Sequence, residues 1–396
     1  MIVCINYFGI RFFGEFEFWL SSLKVITIVG VIILSLVLAL GGGPNRDRTG
    51  FRYWKNPGAF AEYIDTGATG RFLAFWSTLV TAVFAYLGTE LVGVTVGEAQ
   101  NPRKTVPRAI KLTFYRILFF YCLSVLLVGM IVPYNSPRLL FANRQQSGAS
   151  ASPFVVAIKI AGIEGLDHVL NGAILMFVFS ASNSDLYIAS RTLYGLASDG
   201  SAPAIFKRTD KRGVPVYALL LSAAFGFLAF MNVSDDSRLV FGYFVNLVTI
   251  FGLETWISIL VTHIYFVKAR RAQNLPNSAM PYVAPLGIAG SYVALAICVL
   301  VALTKNYTAF VHSPRTYGNF DYKNFITGYL GIPIYLIALF GHKIITRSKT
   351  VKPEFADFYT GKDVIDREEE EFLAAKAMKP KKKGGWFYKT FISWLF

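Results

Sequence analysis

Charge is scarce in this chain: Asp, Glu, Lys and Arg make up 16% of its 396 residues, against 54% hydrophobic residues. An ordinary soluble domain carries about 25% charged residues, so the shortage argues against water as the principal solvent. Cysteine is rarer still. Cys4, Cys122 and Cys298 lie far apart, each in apolar sequence, which argues against a disulfide framework or a zinc site and reads as three buried thiols. Nor is there a nucleophile–base arrangement or a metal-ligand spacing, and Gly41-Gly42-Gly43 precedes no strand-to-helix turn that would cradle a phosphate. An enzyme, a cofactor and a bound metal are therefore not expected. The opening Met1-Ile2-Val3-Cys4-Ile5 lacks the basic stretch, apolar run and cleavage site of a secretory signal, and resembles the tail of a helix.

The net charge of +15 raises the question of a nucleic-acid partner. The Lys and Arg residues, however, sit in short clusters between apolar runs rather than along one polar face, a pattern that topology explains and nucleic-acid binding does not.

What is abundant is apolar sequence in runs long enough to cross a hydrocarbon layer of ~30 Å, which takes ~20 helical residues. Eight spans are expected: Phe18 to Leu40, Ala74 to Gly97, Thr113 to Val132, Val169 to Tyr187, Val214 to Met231, Leu239 to Val267, Ala284 to Leu303 and Phe325 to Phe340. No alternating ten-residue strands are visible, so backbone satisfaction in lipid requires a helical bundle.

Basic residues in short loops collect on the cytoplasmic side. Arg103, Lys104, Arg108, Lys111 and Arg116 follow the second span, Lys207, Arg208, Lys211 and Arg212 the fourth, and Lys268, Arg270 and Arg271 the sixth. The C-terminal tail, with Lys379, Lys381, Lys382 and Lys383, falls on the same side; Arg46, Arg48, Arg52 and Lys55 after the first span run against the pattern. The glycosylation acceptor patterns Asn232-Val233-Ser234 and Asn306-Tyr307-Thr308 both land in loops assigned outside. From about Ser348 the chain carries an acidic run, Glu368 to Glu371, then the lysines, then Trp386, Phe387, Tyr388, Trp394 and Phe396. Such a tail either lies on an anionic inner-leaflet surface or is solvated.

Ionisable groups inside spans cost several kcal/mol, which marks the few present. Lys24, near the inner end of the first span, either serves function or snorkels to the interface. Glu90 lies in Phe84-Ala85-Tyr86-Leu87-Gly88-Thr89-Glu90. Either this helix is discontinuous, its freed carbonyls and half-helix ends facing a charged ligand, or Gly88 is a close-packing contact and Glu90 pairs within the bundle. Glu254 follows Gly252, with Asn246, Thr249, Trp256 and His263 nearby; it lines a cavity or accepts a proton, or is a satisfied structural carboxylate, and His263 reads as interfacial. The polar run Ser180, Ser182, Asn183, Ser184, Asp185 either faces a water-filled path or marks a helix already ended.

Four stretches carry a resemblance: Gly14-Glu15-Phe16-Glu17-Phe18-Trp19; Asp47-Arg48-Thr49-Gly50-Phe51-Arg52-Tyr53-Trp54; Gly88-Thr89-Glu90-Leu91-Val92-Gly93 running into Glu98-Ala99-Gln100-Asn101-Pro102-Arg103-Lys104; and Asn183-Ser184-Asp185-Leu186-Tyr187-Ile188-Ala189-Ser190-Arg191. With these the sequence resembles the fungal amino-acid permeases of the amino-acid-polyamine-organocation superfamily along nearly its whole length. The resemblance implies an all-α membrane protein with two inverted five-helix repeats and twelve helices. Eight of the twelve are expected here, as helices five to twelve with a remnant of the fourth; the glycine-rich break of the family's first helix is not found.

On that resemblance residues 1–347 form an incomplete transmembrane permease domain and 348–396 a cytoplasmic tail. Phe84 is similar to the aromatic that closes over substrate; Ala85, Tyr86 and Gly88 to the unwound stretch facing it; and Glu90 to its acidic residue. Lys24 resembles a lysine taking part in proton coupling, for which Glu90 and Glu254 are further candidates, although Glu254 departs from the uncharged residue the family would show. The run from Glu98 through Ile110 with Lys111-Leu112-Thr113-Phe114 is most similar to the dicarboxylic amino-acid permeases. The expectation is proton-coupled amino-acid uptake by alternating access at the plasma membrane, with an amino acid, a proton and the lipid bilayer as partners. Its rivals are a truncated remnant that transports nothing and a transporter-derived amino-acid sensor.

Overall fold

In the computed structural model, which describes residues 1–8, 10–98, 101–140, 152–233, 237–311 and 320–378, every regular element is helical and no strand occurs among the described residues. In chain order the helices are α1 Ile2–Tyr7, α2 Ile10–Ala39, α3 Gly67–Ser77, α4 Leu79–Tyr86, α5 Pro102–Ile131, α6 Pro153–Ala161, α7 Leu166–Ser198, α8 Val216–Ala224, α9 Ser237–Ala272, α10 Gly287–Thr304, α11 Tyr322–Tyr329, α12 Gly331–Thr346 and α13 Lys362–Met378. Among the described residues seven helical stretches are long and apolar enough to cross a membrane, and they coincide with seven of the eight expected spans. The remaining one, the fifth in order, Val214 to Met231, is shorter: α8 gives way at Phe225 to a 3-10 stretch, Phe225–Val233, leaving Val216–Met231 as its apolar helical part. Two helices run well past the sequence estimate at their C-terminal ends, α7 to Ser198 and α9 to Ala272. Polar helical turns continue past the apolar window because main-chain hydrogen bonding does not stop where lipid does.

The chain divides into two units. The first is built from Met1–Ala61 and Phe114–Val240. Its core joins Leu38 and Ala39 at the end of α2 to Leu127, Met130 and Ile131 of α5 and Val156 and Ala157 of α6. A second cluster, Val155, Ile158 and Leu170, seats α6 on α7. Trp54 caps the first cluster: its indole N–H donates to the Leu126 carbonyl at 3.2 Å, and a Cβ on Gly129 would lie 2.8 Å from its Cζ2. Glycine at 129 is thus what lets the ring lie against α5.

The second unit takes Glu62–Thr113 and the described residues from Phe241. Ile250 and Leu253 of α9 pack with Val301 and Ala302 of α10, and Leu79 and Val83 of α4 and Ile332 of α12 close over them.

Two expectations change. Cys4 and Cys122 are exposed and Cys298 is partly covered, all three free, so the thiols are not uniformly buried. Lipid accepts apolar side chains as a protein core does, and apolar sequence context therefore does not imply burial against protein. The tail is neither free nor purely a surface anchor up to Met378: it folds back onto the second unit, as described below. Lys379, Lys381, Lys382, Lys383 and the aromatic residues from Trp386 lie outside the described residues, as do Ser234 of the first acceptor pattern and Ala99-Gln100.

Candidate functional site

Helix α4 ends at Tyr86 because Leu87 turns extended at φ −59°, ψ 145° and Gly88 enters the left-handed region at φ +96°. A side chain with a Cβ there meets the following carbonyl, at about 1–2 kcal/mol. Lack of room is not the reason for glycine: a Cβ at Gly88 would make an ordinary contact with Leu91 Cδ1 at 3.5 Å. The Leu87 N–H closes α4 on the carbonyls of Val83 and Phe84, and the Leu91 N–H reopens the helical pattern on Gly88 O in the 3-10 stretch Thr89–Glu98. The helix is discontinuous, as one sequence reading had it, while Glu90 also pairs within the bundle, as the other had it.

The break is held by α9 through residues one turn apart. Leu87 lies so close to Gly252 that a Cβ there would come 2.1 Å from Leu87 Cδ2. Four residues on, Trp256 donates its indole N–H to Glu90 Oε2 at 3.0 Å. Residues at i and i+4 share a helix face, so one stripe of α9 receives both the apolar and the acidic side of the break. The Glu90 carboxylate, half-buried, also accepts the Gly88 N–H at 3.2 and 3.3 Å. It therefore caps the amide dipole that the interrupted ladder exposes. Phe84 and Tyr86, 39% and 40% exposed, lie at the last turn of α4 beside Ala85.

Glu254, two residues from either anchor, points the other way, since two helical steps rotate by about 200°. It is 5% exposed, neither carboxyl oxygen has a hydrogen-bond partner among the described residues, and Gly331 of α12 stands against it and Ile250. The satisfied structural carboxylate is thus not what is found. His263 pairs with Ser291 of α10 at 2.7 Å.

Within the first unit, Lys24 does not stand alone. Its Nζ lies 3.3 Å from Glu17 Oε1, and the same oxygen accepts from Ser21 Oγ at 3.4 Å and from Ser180 Oγ of α7. Asn183 is fully buried, and Asn6 of α1 donates to its Oδ1 at 3.0 Å and its carbonyl at 3.3 Å. Ser180 and Asn183, three residues apart, thus form a packing face inside an unbroken helix, whereas Asp185 of the same run is exposed. Glu17 as the partner of Lys24 escaped the sequence reading; the signal was their seven-residue spacing, two turns of one helix face.

Lys305 was missed altogether because it follows the apolar run that ended at Leu303. It is 2% exposed and donates to the Asn246 carbonyl at 3.2 Å. Around it Asn246 Nδ2 donates to Asn324 Oδ1 at 3.1 Å, Asn306 Nδ2 to the Asn324 carbonyl at 3.0 Å, and Asn324 Nδ2 to Asp321 Oδ2 at 2.7 Å. The acceptor pattern at Asn306 is thus locked inside, 5% exposed, not displayed in a loop. No cluster of three metal-ligating side chains occurs among the described residues.

Apolar helices of membrane length, one of them unwound at a glycine with a carboxylate folded over the gap, define a multi-pass helical membrane protein. Residues 1–353 match the amino acid permease family, and the chain belongs to it. It is 52% identical over 404 residues to a dicarboxylic amino acid permease of Saccharomyces cerevisiae, covering 100% of this chain and 66% of that protein. A proline-specific permease of Emericella nidulans is 42% identical over 370 residues, 93% of this chain and 66% of its own length. A general amino-acid permease of Saccharomyces cerevisiae is 39% identical over 390 residues, covering 96% and 63%. The chain thus spans about two thirds of the length of these relatives, which are permeases and not enzymes.

Proposed function

We propose that this protein carries amino acids across the plasma membrane by alternating access, coupled to protons, with acidic amino acids as the preferred class. The observation that carries the reading is the break at Leu87–Gly88, with Glu90 held over it by Trp256. A zwitterion leaving water needs partners for both charges. Interrupted helix ends supply amide and carbonyl dipoles without mobile charges. In this reading the backbone of Ala85, Tyr86 and Gly88 faces the substrate, Phe84 closes over it, and Glu90 sets the local charge. Lys24, through its pair with Glu17, and the unpartnered Glu254 carry the coupling proton.

The acidic preference is supported by the 52% identity to a relative described as a dicarboxylic amino acid permease. The clusters of Lys and Arg after alternate spans support a cytoplasmic C-terminus, with residues 1–347 as the transmembrane permease domain and 348–396 as the tail. The test is uptake of labelled glutamate, aspartate and proline by the full chain in liposomes, with and without an inward proton gradient. Gradient-stimulated uptake of the acidic pair is expected. Binding without flux would overturn carriage in favour of a sensor, and flux indifferent to the gradient would remove the coupling.

A further inference from the structure

The segment that follows the broken helix is gripped by the far end of the same chain. After the 3-10 stretch Thr89–Glu98, α5 opens at Pro102, and Arg103 in its first turn is clamped between two carboxylates of α13. Its Nη2 lies 2.5 Å from Asp366 Oδ1 and its Nη1 3.1 Å from Glu369 Oε2, with Lys104 Nζ 3.9 Å from Glu369 Oε1. Asp366 and Glu369 are three residues apart and so share one face of α13, turned onto a single guanidinium, whose planar fork suits two acceptors.

This contact does not rest on charge alone. The stretch leading into α13 is pinned separately: Gln273, just past α9, donates its side-chain amide to the carbonyls of Pro353 at 3.2 Å and Ala356 at 2.7 Å. Phe358 meets Phe266 of α9 edge-on at 5.4 Å. The tail is therefore tied both to α9, which holds the break through Gly252 and Trp256, and to the start of α5, which the break leads into.

We propose that α13 is a latch: its Asp366–Arg103–Glu369 clamp holds the exit of the broken helix in one position and slows the conformational exchange that transport requires. This rests on the proposed transport function, since a static protein has no exchange to slow. Arg103 is the natural handle, because it stands in the first turn of α5, the next α-helix in the chain after the break. The latch is ionic and about a third exposed at its Arg, so it opens at modest cost and weakens with salt.

The experiment compares the full chain in lipid nanodiscs and liposomes with two variants: D366R/E369R, and the swap R103E/D366R/E369R. Hydrogen exchange reads whether residues 353–378 are held, and initial uptake reads the consequence. The double reversal is expected to strip exchange protection from α13 and raise the initial rate about threefold or more, with the swap restoring both. Loss of protection with an unchanged rate would overturn the latch while leaving docking intact; unchanged protection would overturn the clamp itself. If none of the proteins transports, the transport reading fails. The latch is then judged by V92C in a background with Cys4, Cys122 and Cys298 replaced by serine: its labelling rate must rise in the reversal and fall back in the swap, and no change would overturn it.

Discussion

Trp256 donates its indole N–H to Glu90 at 3.0 Å, so that the acidic residue of the broken helix takes its orientation from a different helix, one turn beyond the glycine that receives Leu87. A hydrogen bond to a charged group contributes about 1.5–3 kcal/mol. W256F keeps an aromatic ring but removes the indole donor, and the expected result is a ten- to hundredfold fall in kcat/KM for uptake with normal amounts of protein in the membrane. A wild-type KM and rate would detach Trp256 from the site.

Gly88 is required for its backbone, not for space. G88A must hold a Cβ at φ +96°, at about 1–2 kcal/mol, and is expected to lower thermal stability and uptake together. G93A is the matched control, since Gly93 lies in the following 3-10 stretch with nothing within 4 Å of a built Cβ and no positive φ. Equal behaviour of the two variants would refute the conformational argument.

Lys24 and Glu17 form one unit, so their removal should have one phenotype. Both K24A and E17Q are expected to flatten the pH profile of uptake, measured from pH 4.5 to 7.5 at fixed membrane potential. A steep wild-type profile in K24A would exclude the lysine from coupling. A flat profile in K24A but not in E17Q would show that the pair in the structure is not the coupling pair.

Asn306 belongs to packing. Its amide is bonded to Asn324, and a Cβ on Gly328 would fall 1.8 Å from its Nδ2. Endoglycosidase treatment is expected to leave the gel mobility of wild type and N306Q alike, whereas N306A should melt several degrees lower, through loss of a buried hydrogen bond of about 1–3 kcal/mol. A mobility shift abolished by N306Q would show the acceptor to be exposed.

Much of the architecture was legible because lipid imposes a simple length rule. Seven apolar stretches had to be helices, whereas the glycine followed by a carboxylate at Gly88–Glu90 allowed either a break or a close-packing contact, and the backbone of the folded chain shows the break. The fifth expected span misled, since apolar composition measures affinity for lipid but says nothing of where α-helix yields to the 3-10 stretch at Phe225. Lys305 and Asn306 misled in the opposite sense: polar residues just past an apolar run look like a loop, and only the approach of Asn246 and Asn324 turns them into a buried network.

By itself, then, the sequence determined the solvent of this protein and the helical class, because these depend on composition and period; at Gly88 it permitted a break without requiring one. The tertiary structure decided the partners: Trp256 for Glu90, Glu17 for Lys24 with Ser180 on the same carboxylate, the close approach of Gly331 for Glu254, and Arg103 for the acidic tail. Helical periodicity says which residues share a face, but the neighbour that face meets is set by the packing of segments far apart in the chain, and no local rule encodes it.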